Sequence, residues 1–252
     1  MILNDVPALR LIAERLETCP PDVAGWFDAA PARCVSVTFC NPLSVRIARD
    51  GRLLDDLAGF DHVYADGMLL ASLASRLRGV AVPRISFDGN SLAPAVLREA
   101  AARDAGMALV GGREGVAGCA AITLAREFGN RLAYARHGYF TSSQEIASAI
   151  AALRASGAGL AVVGMGGGEQ ERFIRALRDS GWHGVAISCG GYLDQLAGGD
   201  RVRYYPRWVN ALNLRAPWRV LHEPGRLLPR YLRDYQPFYR AALQLLWRGE
   251  RA

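Results

Sequence analysis

The chain has 252 residues, 51% of them hydrophobic, and a formal net charge of +6. That length gives one large domain or one domain with an appendage, with ample apolar material for a core. There is no uncharged apolar run of about 18 residues, and no basic stretch precedes an apolar one at the start, so neither a transmembrane helix nor a signal peptide is expected. Five scattered cysteines without a C-x-x-C pair point to reduced thiols and away from a disulfide framework or a zinc site.

In chain order, a helical stretch over 8–16 comes first, then a Pro-Pro break and a second short helix. From residue 33 a regular alternation begins. Apolar β-type runs fall at 34–39, 62–65, 107–110, 132–135, 160–163 and 185–188. Helix-period stretches fall at 44–57, 68–78, 91–103, 116–128, 143–154 and 170–178. Strand–helix alternation predicts an α/β, Rossmann-like fold: a mostly parallel sheet with helices on both faces. The alternation stops after Gly191. Residues 192–252 read as helices interrupted by five prolines, with an appendage starting near Gly199. The expected division is a core over 1–198 and a helical appendage over 199–252.

Polar residues and glycines follow each apolar run. They are Asn41, then Asp66-Gly67, Gly111-Gly112, His137-Gly138-Tyr139, the loop from Gly164 through Gly166 to Gly168, and Gly190-Gly191 with Asp194. In open α/β sheets, ligands bind outside the carboxyl ends of the strands, so these residues are expected along one edge. The 164–168 loop opens a helix, where bare N–H groups and the helix dipole suit a phosphate or diphosphate. It is neither a P-loop nor a clean G-x-G-x-x-G fingerprint, and a plain tight β–α turn is the alternative. The chain holds no G-x-S-x-G, H-E-x-x-H or D-x-D, and its four histidines are scattered. No metal and no cofactor are expected. Asp66 is a carboxylate at a strand end, able to serve as a general base or to cap the helix from residue 68.

All 30 basic residues are arginines. Residues 201–252 hold 11 of them against three acids, a net of +8, and nine of the 22 aromatics. Arginine binds phosphates bidentately, and Trp and Tyr favour the membrane–water interface. An anion-seeking, interfacial tail is therefore expected, with Arg207, Arg219, Arg226, Arg230 and Arg233 as candidates for an acceptor or diphosphate. Nucleic-acid binding and ordinary packing on the core are the rival readings; binding to nucleic acid is not expected.

The order of motifs resembles the WecG/TagA/CpsF family of bacterial glycosyltransferases (family 26) from about residue 38 to 233. Thr-Phe-Cys-Asn-Pro (38–42) is followed by Tyr-Ala-Asp-Gly (64–67), Pro-Arg-Ile-Ser (83–86) and Val-Gly-Gly-Arg-Glu-Gly-Val-Ala (110–117). Arg-His-Gly-Tyr-Phe (136–140), Gly-Met-Gly-x-x-x-Gln-Glu (164–171) and Gly-Gly-Tyr-Leu-Asp-x-x-Ala-Gly (190–198) come next. The tail carries Pro-Arg-Trp (206–208) and His-Glu-Pro-x-Arg-Leu-x-x-Arg-Tyr (222–231). The resemblance implies an inverting transferase that moves a sugar from a UDP-sugar to a polyprenyl-diphosphate-linked sugar in surface or exopolysaccharide synthesis, and the lack of D-x-D makes it metal-independent in expectation. It would be cytoplasmic, peripheral on the inner face of the membrane, with its appendage helping to complete the site; a homo-oligomer is left open.

Carried over residue by residue, the resemblance makes Asp66 the base, places Gln170 and Glu171 on the family's Gln-Glu pair, and puts Asp194 near the nucleotide. Asn41 and Thr38 match the early Asn and Thr, though two residues separate them here, so either Thr38 or Phe39 holds the threonine position. Arg226 and Arg230 match the tail. Gly168-Glu169 stands in place of the usual Pro-Lys. The segment 84–92 is longer than usual, with Ser91 where an Asp is expected. Arg84 is read both as a substrate contact and as a partner in a structural ion pair. Two other functions compete: an NAD(P)-binding oxidoreductase, which lacks its glycine fingerprint here, and a non-catalytic membrane-docking module.

Overall fold

The computed structural model of the chain describes residues 5–49, 52–198, 218, 221 and 224–247, with backbone alone at 52, 226, 227 and 230. Arg207 and Arg219 lie outside the described residues, as do the side chains of Arg226 and Arg230.

Six strands form one all-parallel sheet: β1 (Cys34–Cys40), β2 (His62–Ala65), β3 (Gly106–Gly111), β4 (Leu132–Arg136), β5 (Ala158–Gly164) and β6 (Gly184–Ser188). Their spatial order is β2-β1-β6-β5-β3-β4. All residues of β1, β3 and β6 are buried. This is why the strands read as continuous apolar runs rather than alternating ones: a parallel sheet is covered on both faces.

The helices sort by face. Helices α1 (Asp5–Arg15), α3 (Pro42–Ala48), α4 (Arg52–Ala58), α5 (Met68–Arg78), α8 (Ser143–Ala155) and α9 (Glu169–Asp179) pack into the core of one face. Helices α2 (Val23–Ala29), α6 (Ala93–Ala102), α7 (Val116–Phe128) and α10 (Tyr192–Ala197) cover the other. The stretch 44–57, read from sequence as one helix, is two, α3 and α4, with Asp50-Gly51, a helix-disfavouring pair, between them.

Strands β1 and β6 are neighbours, paired from Cys34↔Gly184 to Val37↔Ile187. Past their ends the chain departs to opposite faces, through α3 from β1 and α10 from β6. That divergence opens a crevice at the carboxyl edge. Strand-end glycines let the edge close tightly. A Cβ on Gly111 would collide with the Gly164 carbonyl, and one on Gly164 would lie 2.7 Å from the Gly190 carbonyl.

Packing does not stop at residue 198. After α11 (Pro224–Pro229) and one π-helical turn (Arg230–Asp234) comes α12 (Gln236–Trp247). Its Phe238, Ala241 and Leu245 are buried in the first face's core beside α1 and α3. Asp5 of α1 pairs with Arg49 (3.2 Å) and Arg240 (3.5 Å), and Arg46 of α3 pairs with Asp234. Exposed pairs of this kind contribute little, so apolar burial is the main hold on α12. No helix among the described residues is long and apolar enough to cross a membrane.

Candidate active site

A cavity of about 870 Å³ opens along the carboxyl edge of the sheet. That is near the upper end for small-molecule sites and leaves room for more than one substrate. The edge brings together Asn41, Asp66, Arg84, Gly112, Tyr139, Gly164, Gly166, Gln170, Glu171, Gly190, Gly191 and Asp194 on its wall. Thr38 and Gly111 are absent from the wall; both lie beneath it. Arg233 is exposed on the π-helical turn and does not line the cavity.

Asp66 follows the last residue of β2, and its N–H donates to the Cys40 carbonyl at 2.7 Å. The N-cap position of α5 belongs to Gly67, at φ +108°, which has no side chain to cap with. Next to it, Arg84 extends the sheet through a bridge to Ala65. Its guanidinium donates to Ser86 Oγ at 2.9 Å and stands 3.8 Å from Asp88. Asp88 in turn accepts from Ser86 Oγ (2.6 Å) and from the Asn90 N–H (2.8 Å). So Arg84 lines the cavity and is held by the ion pair that one of its two sequence readings expected.

Asn41 caps α3. Its Oδ1 accepts from the Leu43 N–H at 2.9 Å, and its own N–H donates to Ser44 Oγ at 3.1 Å. Nδ2 makes no hydrogen bond among the described residues, and Asn41 lines the cavity.

Beneath the glycine loop lies a buried network. Glu171 Oε1 accepts from Thr38 Oγ1 at 2.8 Å and from Gln170 Nε2 at 2.9 Å; Oε2 accepts from the Gly168 N–H at 2.6 Å. Thr38 Oγ1 also shares a 2.8 Å bond with Ser188 Oγ. Burial pushes the Glu171 carboxyl above its ordinary range, against the pull of these donors. Gln170 Oε1 is buried, on the cavity wall, and has no partner among the described residues. The helix N-terminus read from sequence as a phosphate cradle is thus partly filled by the protein's own carboxylate. Ile47 also presses against Gly167 and Gly168. The Gly166 and Gly167 N–H groups have no acceptor among the described residues.

The thiols of Cys40 and Cys189 border the cavity too, but burial pushes both up to about 12, so neither is a nucleophile near neutral pH. Among the described residues, no three His, Cys, Asp or Glu side chains stand close enough to hold a metal ion.

The sequence profile described as the glycosyl transferase WecG/TagA/CpsF family matches residues 14–252. The chain belongs to this family. It is therefore a glycosyltransferase. It is also similar to a UDP-Gal:alpha-D-GlcNAc-diphosphoundecaprenol beta-1,4-galactosyltransferase of Shigella boydii. The two are 28% identical over 204 residues, which cover 80% of this chain and 83% of the relative.

On this glycosyltransferase, Thr38 and Phe39, the two residues that can hold the family's early threonine position, point to opposite faces of the sheet. Phe39 points to the second face, within 6.1 Å of Tyr64 and 6.3 Å of Phe87, and its ring borders the cavity. Thr38 points to the first face and reaches Glu171. Sequence reasoning missed Asp88, although it lies four residues past Arg84 and supplies a carboxylate in the segment where Ser91 stands in place of the family's Asp. It also missed Tyr231 and Tyr235 on the cavity wall. The sequence signal was Tyr231 itself, the last residue of the Arg-Leu-x-x-Arg-Tyr motif.

Proposed function

We propose that this glycosyltransferase moves a sugar from a UDP-sugar to a polyprenyl-diphosphate-linked sugar, with inversion and without metal. The observation that carries the reading is Asp66, a carboxylate on the wall of the edge cavity at the family's Asp-Gly motif. The similarity to the Shigella enzyme supplies the donor and acceptor classes.

In the proposed step, Asp66 accepts the proton of an acceptor hydroxyl. That oxygen bonds to the anomeric carbon from the face opposite the leaving group. The bond from carbon to diphosphate oxygen breaks, and its electron pair leaves with UDP. Arg84 faces the charge that develops there. Among the described residues the wall also carries Asp88, Glu169, Glu171 and Asp194, so Arg84 alone cannot balance an incoming diphosphate. The arginines at 207, 219, 226 and 230 are proposed to supply the remainder, and the tail is proposed to rest on anionic lipid at the inner face of the membrane. The exposed Leu228, Leu232 and Trp247 favour a lipid surface over nucleic acid.

The test is UDP release from a panel of UDP-sugars with a lipid-diphosphate-linked N-acetylglucosamine acceptor. Asp66→Asn should keep UDP binding and lower turnover by roughly 100-fold or more. Turnover within a few-fold of the parent protein removes Asp66 from the step.

A further inference from the structure

The cavity straddles the sheet edge, and its two sides differ in chemistry. On the second face stand Arg84, Ser86, Asp88 and Asp194, with the rings of Phe39, Phe87 and Tyr192. The first-face wall carries Ser44 and the α9 residues Glu169, Gln170 and Glu171, and the rest of it includes the apolar or aromatic side chains of Leu43, Ile47, Phe140, Ile146, Tyr231 and Tyr235. Ile47, Phe140 and Ile146 are partly buried against that face's core, Phe140 stacks on Phe173 at 5.7 Å, and Tyr231 meets Tyr235 at 4.9 Å. Apart from two phenolic hydroxyls, these six side chains offer no hydrogen-bonding atom.

We propose that this wall binds the isoprenoid end of the lipid-linked acceptor; the inference rests on the transfer reading above. A nucleotide is the wrong occupant, because its imide, ribose diol and diphosphate would lose their hydrogen bonds to water and regain few. An aliphatic chain loses nothing there and gains with every methylene buried. The wall is also continuous with the surface. Tyr231 shares the π-helical turn with Leu232 and lies three residues after Leu228 of α11; the two leucines are 61% and 46% exposed. Leu228 and Leu232 therefore add an exposed apolar track next to Tyr231 in the chain. The Arg46–Asp234 ion pair ties that turn to α3, which carries Leu43 and Ile47. The reactive sugar would then sit near Asp66 while its lipid leaves along α3 and the π-helical turn.

The experiment compares two acceptors with the same diphosphate sugar, one on a long polyprenyl chain and one on a short alkyl chain, in full-length protein. The unsubstituted protein should show a lower KM for the long-chain acceptor. Leu43→Ser and Ile146→Ser, at partly exposed positions, should each raise that KM by about tenfold. They should leave KM unchanged for the short-chain acceptor and for the UDP-sugar. Leu232→Ser, on the exposed track, should act in the same sense with no change in melting temperature. A rise in the KM for UDP-sugar would assign the wall to the nucleotide and overturn the proposal. Equal use of both chain lengths, before and after substitution, would overturn it while leaving sugar transfer intact. Transfer to neither acceptor would instead defeat the reading of the reaction itself, and the subsite with it.

Discussion

At the scale of single residues, the network under the glycine loop sets what the cavity wall offers a substrate. The Glu171 carboxylate has only acceptors, so the Gln170 amide must turn its nitrogen toward it, which leaves the buried Gln170 oxygen without a partner among the described residues. Glu171→Gln is expected to reverse this. An inward amide nitrogen at 171 would draw the Gln170 oxygen inward and expose an N–H₂ instead. A substrate donor would then meet a donor, with a loss of about 10- to 100-fold in kcat/KM while the fold is kept; unchanged kinetics would show that Gln170 does not read the substrate. The same substitution tests the ionisation. Burial raises the Glu171 carboxyl from its ordinary value of 4.5. A raised acid favours the fold while protonated, so its contribution is full below 4.5 and is lost as pH rises through the raised value. Melting curves across acid to neutral pH should show the parent protein losing ground to Glu171→Gln as pH rises. The sequence set Asp66 at a strand end and, through the family resemblance, Gln170 and Glu171 at the site, but it could not say which face Thr38 or Phe39 takes. That distinction depends on which way each residue of β1 points, and β1 is buried on both faces, so no polar alternation marks its sides.

At the scale of elements, six strands and most of the helices between them were legible, because parallel strands read as apolar runs and their helices keep the 3.6-residue period. The break between α3 and α4 was less so, since both halves share one apolar stripe. Asn41 belongs to an element and to the site together. Its Oδ1 caps α3, and the residue lines the cavity. The two duties separate by substitution. Asn41→Ala should cost about 1 kcal/mol of stability, seen as a fall of roughly 2–4 °C in melting temperature. Asn41→Asp keeps a capping oxygen and should hold the melting temperature, yet it removes an N–H donor and adds negative charge to an already acidic wall. Its KM for donor or acceptor should rise. Equal kinetics for Asn41→Asp and parent would confine Asn41 to capping. The sequence read residues 236–247 as part of an appendage, with packing on the core as a rival reading, and the buried stripe of α12 lies in the first-face core. Phe238→Ala should cost about 3–5 kcal/mol, as a core truncation does.

At the scale of the whole molecule, charge is divided along the chain: −2 over residues 1–200 and +8 over 201–252. Binding to anionic vesicles should therefore weaken steeply as salt rises and the screening length falls below about 10 Å. Salt-insensitive vesicle binding, read by sedimentation, would instead assign it to the exposed leucines and Trp247. Transfer should also persist in EDTA; a strict requirement for a divalent ion would remove the arginines from the balance of charge. The clasp between α1 and α12 joins residues 5–15 to residues 236–247. During synthesis, the first helix therefore waits for the last before its outer side is covered. At about 5–20 residues per second, that wait is roughly 10 to 45 s. Tyr231 and Tyr235 enter the cavity wall only in that final interval. A chain interrupted before residue 231 would thus carry the sheet and the Asp66 carboxylate, but a cavity wall without its two tyrosines.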